Sequence, residues 1–275
     1  MTAEYGSCNL AIDGPVATIE IIPPMQVKGG ADLHWELGGV LDRLRSDTSV
    51  RVIVLTGTDD EFYVLPDKAV FENPASWAKR ANPDGAWQTF MGIIRVHQLM
   101  AEIEKPIVAK MNGHATAFGC SLVLPSDLIV AAEDAELVDI HLGMGEIDGH
   151  PGPGFGLVAG DGGSSLAPLY MSPAKAKEFL MLSTPYSGRE LADAGVINKA
   201  VAREELDDAV ADMVDALLRR SAFALAWTKR TANRRIAEVL NMSLDAGAAY
   251  EMVNFLQLSR LGHDPMSLGP EEEIE

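Results

Sequence analysis

Strand-like and helix-like segments alternate along this sequence, and that alternation limits the folds it can adopt. Residues 9–12 and 16–22 flank an Asp-Gly pair, which is a strong signal for a β-hairpin. Apolar residues recur at helical spacing between positions 31 and 44, and an apolar run at 51–57 then ends at a glycine. Further strand patterns lie at residues 107–111, 128–132 and 196–201. The sequence therefore predicts an α/β fold built in layers.

Helical patterns fill the C-terminal part of the chain, at residues 203–220, 222–235 and 240–261. The first has one apolar stripe, with acidic residues in its first turn and arginines in its last, as the helix dipole favours. We interpret residues 1–200 as a strand-containing core. Residues 201–275 are interpreted as a helical region that completes the same domain.

Charge and composition exclude several classes of function. The formal net charge of −18 argues against nucleic-acid binding, which depends on clustered Lys and Arg side chains. Cys8 and Cys120 are the two cysteines, too few for a disulfide framework or a four-thiolate metal site, and no metal-binding motif occurs. The sequence lacks a secretory signal and an apolar run long enough to span a bilayer. We expect a cytoplasmic protein that binds no nucleic acid, membrane or metal.

Residues 105–121, which read KPIVAKMNGHATAFGCS, predict an apolar strand followed by a small-residue turn and a short helix. Backbone N–H groups at such a turn are free to stabilise an anion. Together with residues 157–163, 174–178 and 192–201, this stretch resembles the crotonase (enoyl-CoA hydratase/isomerase) superfamily. The resemblance implies a spiral core of repeated ββα turns with a helical C-terminal region. It also implies an acyl-CoA substrate, so that coenzyme A enters as part of the substrate and is not a separate cofactor. The resemblance further implies a homotrimer or a dimer of trimers.

The superfamily stabilises an enolate with two backbone N–H groups. The resemblance places one donor at Phe118, beside Gly119, where the family has a run of glycines. A phenylalanine keeps its N–H, but its ring should narrow the pocket. The other donor position falls on Pro66, and proline has no N–H. Either the neighbouring Leu65 serves instead, or this half of the oxyanion hole is lost.

The two glutamates of the family's hydratases are replaced here by Ser121 and His141. The segment around His141 resembles a branch that reads D-x-H-x-x-x-G-L-V-A-G-D-G-G, in which some members cleave β-diketones, as oxocamphor hydrolases do. By that resemblance His141 is the general base, and Asp161 and Asp139 orient or stabilise its ring. The alternative is structural, with His141 ending a strand and Asp161 capping the next helix.

Residues 144–156 are rich in glycine and proline, which predicts a loop. The segment interrupts the active-site region and is interpreted either as a lid or as a surface loop. As a lid it would bring Glu146, Asp148 or His150 to the pocket, and His150 is then the rival of His141. The remaining histidines at positions 34, 97 and 263 are interpreted as packed or surface residues.

Three functions are therefore open. The leading hypothesis is a crotonase-type enzyme that acts on an acyl-CoA as a hydratase or isomerase. The second is a hydrolase that cleaves a carbon–carbon bond of a β-diketone. The third is a superfamily scaffold that has lost its activity and serves in binding or assembly.

Overall fold

The computed structural model describes residues 2–27, 31–65, 83–143, 146–147, 150–151 and 156–260. Its strands are β1 (Thr2–Glu4), β2 (Cys8–Asp13), β3 (Val16–Ile21), β4 (Val52–Gly57), β5 (Glu61–Tyr63), β6 (Ile107–Met111), β7 (His114–Thr116), β8 (Leu128–Ala132), β9 (Glu136–Val138), β10 (Glu146–Ile147), β11 (His150–Pro151), β12 (Tyr186–Ser187) and β13 (Lys199–Val201). Its helices are α1 (Leu33–Ser46), α2 (Pro83–Glu102), α3 (Phe118–Val123), α4 (Gly163–Tyr170), α5 (Pro173–Met181), α6 (Gly188–Asp193), α7 (Leu206–Leu218), α8 (Ala222–Ala232) and α9 (Arg234–Arg260), with short 3-10 helices at Pro24–Gln26 and Arg203–Glu205.

Within the described residues the strands form two main sheets. The larger has the order β1-β2-β3-β4-β6-β8-β13, and the smaller has the order β12-β9-β7-β5. In the larger sheet β1 to β3 are antiparallel and the remaining neighbours are parallel. The predicted hairpin is present, because Asp13 pairs with Val16 across a turn in which Gly14 has a φ of 51°.

The chain winds through these sheets as a spiral. β4 and β5 precede α2, β6 and β7 precede α3, and β8 and β9 precede α4, so each turn adds one strand to each sheet and then a helix. This arrangement confirms the predicted α/β core of ββα turns. Since parallel strands are buried on both faces, the central strand β4 is an unbroken run of buried residues.

The helical C-terminal region is confirmed, but two boundaries are earlier than predicted. α8 ends at Ala232 rather than at position 235, with Asn233 as its C-cap, and α9 begins at Arg234 rather than at position 240. The side-chain amide of Asn233 donates to the Ala101 carbonyl and to Asp127. Tertiary hydrogen bonds therefore determine where α8 ends, which the local sequence does not reveal. The division of the domain at residue 200 and a role in assembly stay predictions.

Asp127 joins the helical region to the core. One carboxylate oxygen accepts from the backbone N–H of Ile107 in β6 and pairs with the Lys229 ammonium, at 2.7 Å in each case. The other oxygen accepts from Asn233 at 3.1 Å. The Lys229 side chain is 5% exposed, and its burial lowers the pKa of the ammonium, an effect that the Asp127 charge partly offsets.

The loop predicted at residues 144–156 is described only in part. It is not free of strands, because β10 and β11 pair antiparallel, Glu146 with Pro151 and Ile147 with His150. Residues 144–145, 148–149 and 152–155, which include Asp148, lie outside the described ranges, as does His263. None of the helices that the structure describes is both long and apolar enough to cross a bilayer.

Replacing Asp127 should destabilise the protein strongly. Asp127→Ala leaves the buried Lys229 charge without its carboxylate, which typically costs about 3 to 5 kcal/mol. Chemical denaturation would measure the free energy of unfolding. Glu238→Ala, which breaks the exposed pair with Arg234, is the control and should change it by less than about 0.5 kcal/mol. Similar small losses in both variants would contradict the role given to Asp127.

Candidate active site

A cavity lies where β5, α2, α3 and α9 meet. It encloses about 440 Å³, counting the part open to solvent. Its apolar wall consists of Tyr63, Leu65, Phe90, Ile93, Ala117, Phe118, Leu157 and Phe255. Its polar wall consists of His34, Thr89, His141, Asp161 and Glu251. A mostly apolar pocket with a few converging polar groups is typical of a small-molecule site.

His141 stands just after β9 and is held by Asp139, two residues before it. An Asp139 carboxylate oxygen accepts from the backbone N–H of His141 at 3.1 Å and lies 2.7 Å from Nδ1. Since a carboxylate can only accept, Nδ1 carries a proton. Nε2 lies 3.4 Å from Asp161, longer than a well-formed hydrogen bond. The ring therefore has a fixed orientation and presents Nε2 at the cavity.

Asp161 is positioned by Ser121. The Ser121 hydroxyl donates to Asp161 at 2.9 Å, and both side chains are buried. The alternative that Asp161 caps the following helix is wrong, because the N-cap of α4 is Gly162 and has no side-chain cap bond. The sequence predicts that Ser121 contacts the substrate. In the structure its hydroxyl donates to Asp161 instead, so the observed contact of Ser121 orients that carboxylate.

The charges of this cluster favour a protonated histidine. Burial alone would lower the pKa of His141, but the carboxylates of Asp161 and Asp139 outweigh it and raise that pKa well above its ordinary value. Burial likewise acts to raise the pKa of Asp161, and the His141 charge with the Ser121 hydrogen bond reverses this and lowers it. The raised pKa favours a protonated His141 ring beside these two carboxylates.

The same three residues could also attract a cation. Ligand atoms of Asp139, His141 and Asp161 all lie within 4.8 Å of one another. However, a histidine binds a metal only as the neutral ring, and here both nitrogens face carboxylates that favour the protonated form. A metal would therefore have to displace the proton that the cluster is built to hold.

The start of α3 carries the two amides that the sequence predicts as oxyanion donors, those of Phe118 and Gly119. Cys120 and Ser121 both donate to the Ala117 carbonyl, whereas the N–H groups of Phe118 and Gly119 are the unpaired first amides of the helix. Ala117 precedes them with a φ of 46° and a ψ of −116°, a conformation that a residue with a side chain rarely adopts. Ala117 and Phe118 line the cavity, whereas Gly119 is not among its lining residues.

The second half of the oxyanion hole differs from the family pattern. Pro66 lies outside the described residues. The Leu65 N–H donates to the Thr116 hydroxyl at 2.9 Å, although the Leu65 side chain lines the cavity. For Leu65 to serve as a donor to the substrate, its N–H would have to leave Thr116. The Leu65 alternative therefore stays a prediction that requires a rearrangement at Thr116.

Phe118 lies in an aromatic cluster at the cavity wall. Its ring is 4.1 Å from the ring of His34, 6.0 Å from that of His97 and 6.2 Å from that of Tyr63. The side chain is 2% exposed. Its bulk takes up space that a glycine at this position would leave open.

The packed interpretation of His34 and His97 is confirmed, but sequence reasoning did not place His34 or Glu251 at the cavity. His34 is buried and lines the cavity, and Glu251 of α9 lines it as well. His97 is fully buried, with Nδ1 bonded to the Ile93 carbonyl at 2.7 Å, and burial lowers its pKa so that the ring is neutral. The signal that could have found His34 is Asp32, two residues before it, as Asp139 stands before His141. Glu251 has no local signal. The side chain of His150 lies outside the described residues.

The strain at Ala117 should be measurable. A backbone in such a region costs about 1 to 3 kcal/mol, so Ala117→Gly should leave the free energy of unfolding unchanged or raise it. The control Ala115→Gly removes an equally buried methyl from an ordinary strand and should lower it by about 1 to 2 kcal/mol. Equal losses in the two variants, measured by denaturant titration, would contradict the assigned strain.

Comparison with known proteins agrees with this architecture. The sequence model of the enoyl-CoA hydratase/isomerase family matches residues 16–253. Crotonyl-CoA hydratase of Syntrophomonas wolfei is 27% identical over 219 residues, which cover 79% of this chain and 78% of that protein. An enoyl-CoA hydratase/isomerase structure from Mycobacterium paratuberculosis has a TM-score of 0.79 at 27% identity and covers 92% of this chain and 94% of its own.

A β-diketone hydrolase structure from the cyanobacterium Anabaena shares the fold, with a TM-score of 0.77 at 20% identity over 93% of this chain and 96% of its own. At that identity the likeness concerns the fold alone. The match of the family model, in contrast, extends over most of the sequence and includes the strand, turn and helix that end at Ser121. The chain belongs to the enoyl-CoA hydratase/isomerase family of the crotonase superfamily.

Proposed function

We propose that this protein stabilises an enolate formed from an acyl-CoA thioester, as a hydratase or isomerase of enoyl groups. The observation that carries the proposal is the buried Asp139, His141 and Asp161 cluster at the wall of the cavity. Perturbed titratable groups that converge on a pocket are a physical signature of a catalytic site.

The thioester oxygen is bound at the start of α3. The N–H groups of Phe118 and Gly119 hold this oxygen as it gains negative charge. Removing one such preorganised donor typically costs about 3 to 4 kcal/mol in the transition state. The donors need no reorganisation during the reaction, because the turn at Ala117 already orients them.

His141 transfers the proton at the α-carbon. In the hydration direction its Nε2 gives a proton to the enolate carbon, and in the reverse direction the neutral ring takes that proton back. Asp139 keeps the ring in one tautomer and orientation. Asp161 stabilises the imidazolium and is itself oriented by Ser121. This division of tasks explains why both carboxylates are buried at a single ring.

The second candidate is hydrolysis of a carbon–carbon bond in a β-diketone. It is favoured by the replacement of the family's glutamate pair with Ser121 and His141. In this reaction water adds to one carbonyl carbon and loses a proton to solvent. The bond to the α-carbon then breaks to give a carboxylic acid and an enolate, the enolate takes a proton from His141, and His141 is reprotonated from solvent. The same oxyanion donors and the same proton donor serve both reactions, so substrate binding separates them.

An inactive scaffold is the least supported alternative. Burying charges costs several kcal/mol per ion even in a well-paired cluster, and apolar replacements are often as stable. A chain under no demand for chemistry has little reason to keep an imidazolium between two carboxylates at a cavity wall. The predicted homotrimer or dimer of trimers stays a proposal, supported by the exposed side chains of Phe223, Trp227 and Met242 in α8 and α9.

The substrate class can be tested with a panel of enoyl-CoAs and cyclic β-diketones. Wild-type protein should turn over an enoyl-CoA, and acyl-CoA binding should raise its melting temperature. His141→Gln should lower kcat by about 100-fold to 10,000-fold with the fold intact. His114→Gln, which changes an exposed histidine outside the cavity, should leave kcat unchanged. Turnover of the diketones alone would replace the first candidate by the second.

The pH dependence of kcat tests the acid role of His141. Because the pKa of His141 is raised, a proton donor should keep kcat high at neutral pH and lose it only as alkaline pH removes that proton. Asp161→Asn removes a charge that raises this pKa, so the alkaline decline should move to lower pH. An increase of kcat with alkaline pH in the wild-type protein would contradict the acid role in the rate-limiting step.

A further inference from the structure

We infer that Asp32 and His34 form a second proton-transfer pair in the same cavity, which takes the proton of the attacking water. The inference rests on the proposed function and adds the group that activates the water. It assigns a role to a histidine on α1, more than 100 residues away from His141 in the sequence.

The chain contains the same Asp-x-His unit twice. Asp32-Leu33-His34 precedes and begins α1, and Asp139-Ile140-His141 follows β9. In both units one aspartate oxygen accepts from the backbone N–H of the histidine at 3.1 Å and lies 2.7 Å from its Nδ1. Both histidines are buried and both line the cavity. The start of α1 and the segment after β9 therefore each place the same Asp–His arrangement at the cavity.

The contacts of Asp32 fix the role of the His34 ring. Because a carboxylate only accepts, Nδ1 of His34 is the donor, and Nε2 is the ring nitrogen left for a ligand. The Thr89 hydroxyl donates to the other oxygen of Asp32. The ring of Phe118, tilted by 43° at 4.1 Å, packs against the imidazole. Asp32, Thr89 and Phe118 are thus positioning residues for His34.

The two units differ in their second carboxylate. Nε2 of His141 has Asp161 at 3.4 Å, which favours a protonated ring. Among the described residues His34 forms its ion pair with Asp32, and Glu251 is a further carboxylate that lines the same cavity. We assign the proton-donating step to the unit with Asp161 at Nε2 and the proton-accepting step to the unit on α1.

This difference matches the demands of adding water to an enoyl thioester. Nε2 of His34 takes a proton from water while the water oxygen forms its bond to the β-carbon. The electron pair of the double bond moves to the thioester oxygen as the enolate forms. His141 then gives its Nε2 proton to the α-carbon, and the thioester carbonyl is restored. One water is consumed, and His34 passes its proton through solvent back to His141.

A structural role for Asp32 is the competing explanation, since its side chain also caps α1. The two roles can be separated because the proposed steps differ. Hydration of crotonyl-CoA needs both histidines. Exchange of the α-proton of butyryl-CoA in deuterated water needs His141 and the oxyanion donors, but no attacking water. A cap that only supports the fold would affect both reactions together.

The test compares these two reactions in His34→Gln and Asp32→Asn. Asp32→Asn keeps an oxygen that can cap α1 but no longer enforces the tautomer of His34, so it remains informative if His34→Gln folds poorly. We expect hydration to fall at least 100-fold in either variant, while α-proton exchange stays within threefold of wild type. His141→Gln should abolish both, and His114→Gln should change neither.

The outcomes separate this inference from the proposed function. Hydration at the wild-type rate in both His34→Gln and Asp32→Asn would overturn the role of His34 and leave that of His141 standing. Equal losses of hydration and exchange in these variants would do the same. If the wild-type protein catalyses neither hydration nor α-proton exchange of the acyl-CoAs and does not cleave β-diketones, both the role of His34 and the proposed function are overturned. A selective loss of hydration would support the second pair.

Discussion

The contacts of Asp127 are the constraint on which the rest of the structure depends. This carboxylate binds a strand amide of the core, the Lys229 ammonium and the Asn233 amide, and so fixes the end of α8 against the large sheet. The direction of α9 follows from that point. α9 then packs against α2 and α4 and brings Glu251 and Phe255 to the cavity. The pair that anchors the helical region thereby also helps to close the site.

The shielding of the polar side chains from water determines how strongly the charges in the cavity interact. In a site shielded from water the attraction between an imidazolium and a carboxylate is stronger than at the surface. His97 and His141 are both buried, yet their pKa values shift in opposite directions. At His97 burial outweighs the Ile93 carbonyl and the charge of Asp161, whereas at His141 the carboxylates of Asp161 and Asp139 together outweigh burial. Burial alone therefore does not set the protonation state. The number of neighbouring negative charges does.

Much of the fold follows from local sequence patterns, whereas the site follows only in part. The hairpin at Asp13 and the spiral strands were predictable because turn chemistry and apolar periodicity act over a few residues. The end of α8 was not, since side-chain bonds from Asn233 to the core determine it. Glu251 likewise reaches the cavity through the packing of a long helix. His34 was predictable in principle, because the spacing between Asp32 and His34 repeats that between Asp139 and His141.

The departures from the family pattern fit together at the turn before α3. Phe118 occupies space where the family has a glycine, and its ring packs on His34. A glycine there would leave the imidazole without this support. The Leu65 amide, on the other side, is engaged by Thr116. In the proposed mechanism the two oriented histidines, His34 and His141, take the proton transfers that the family's hydratases give to a pair of glutamates.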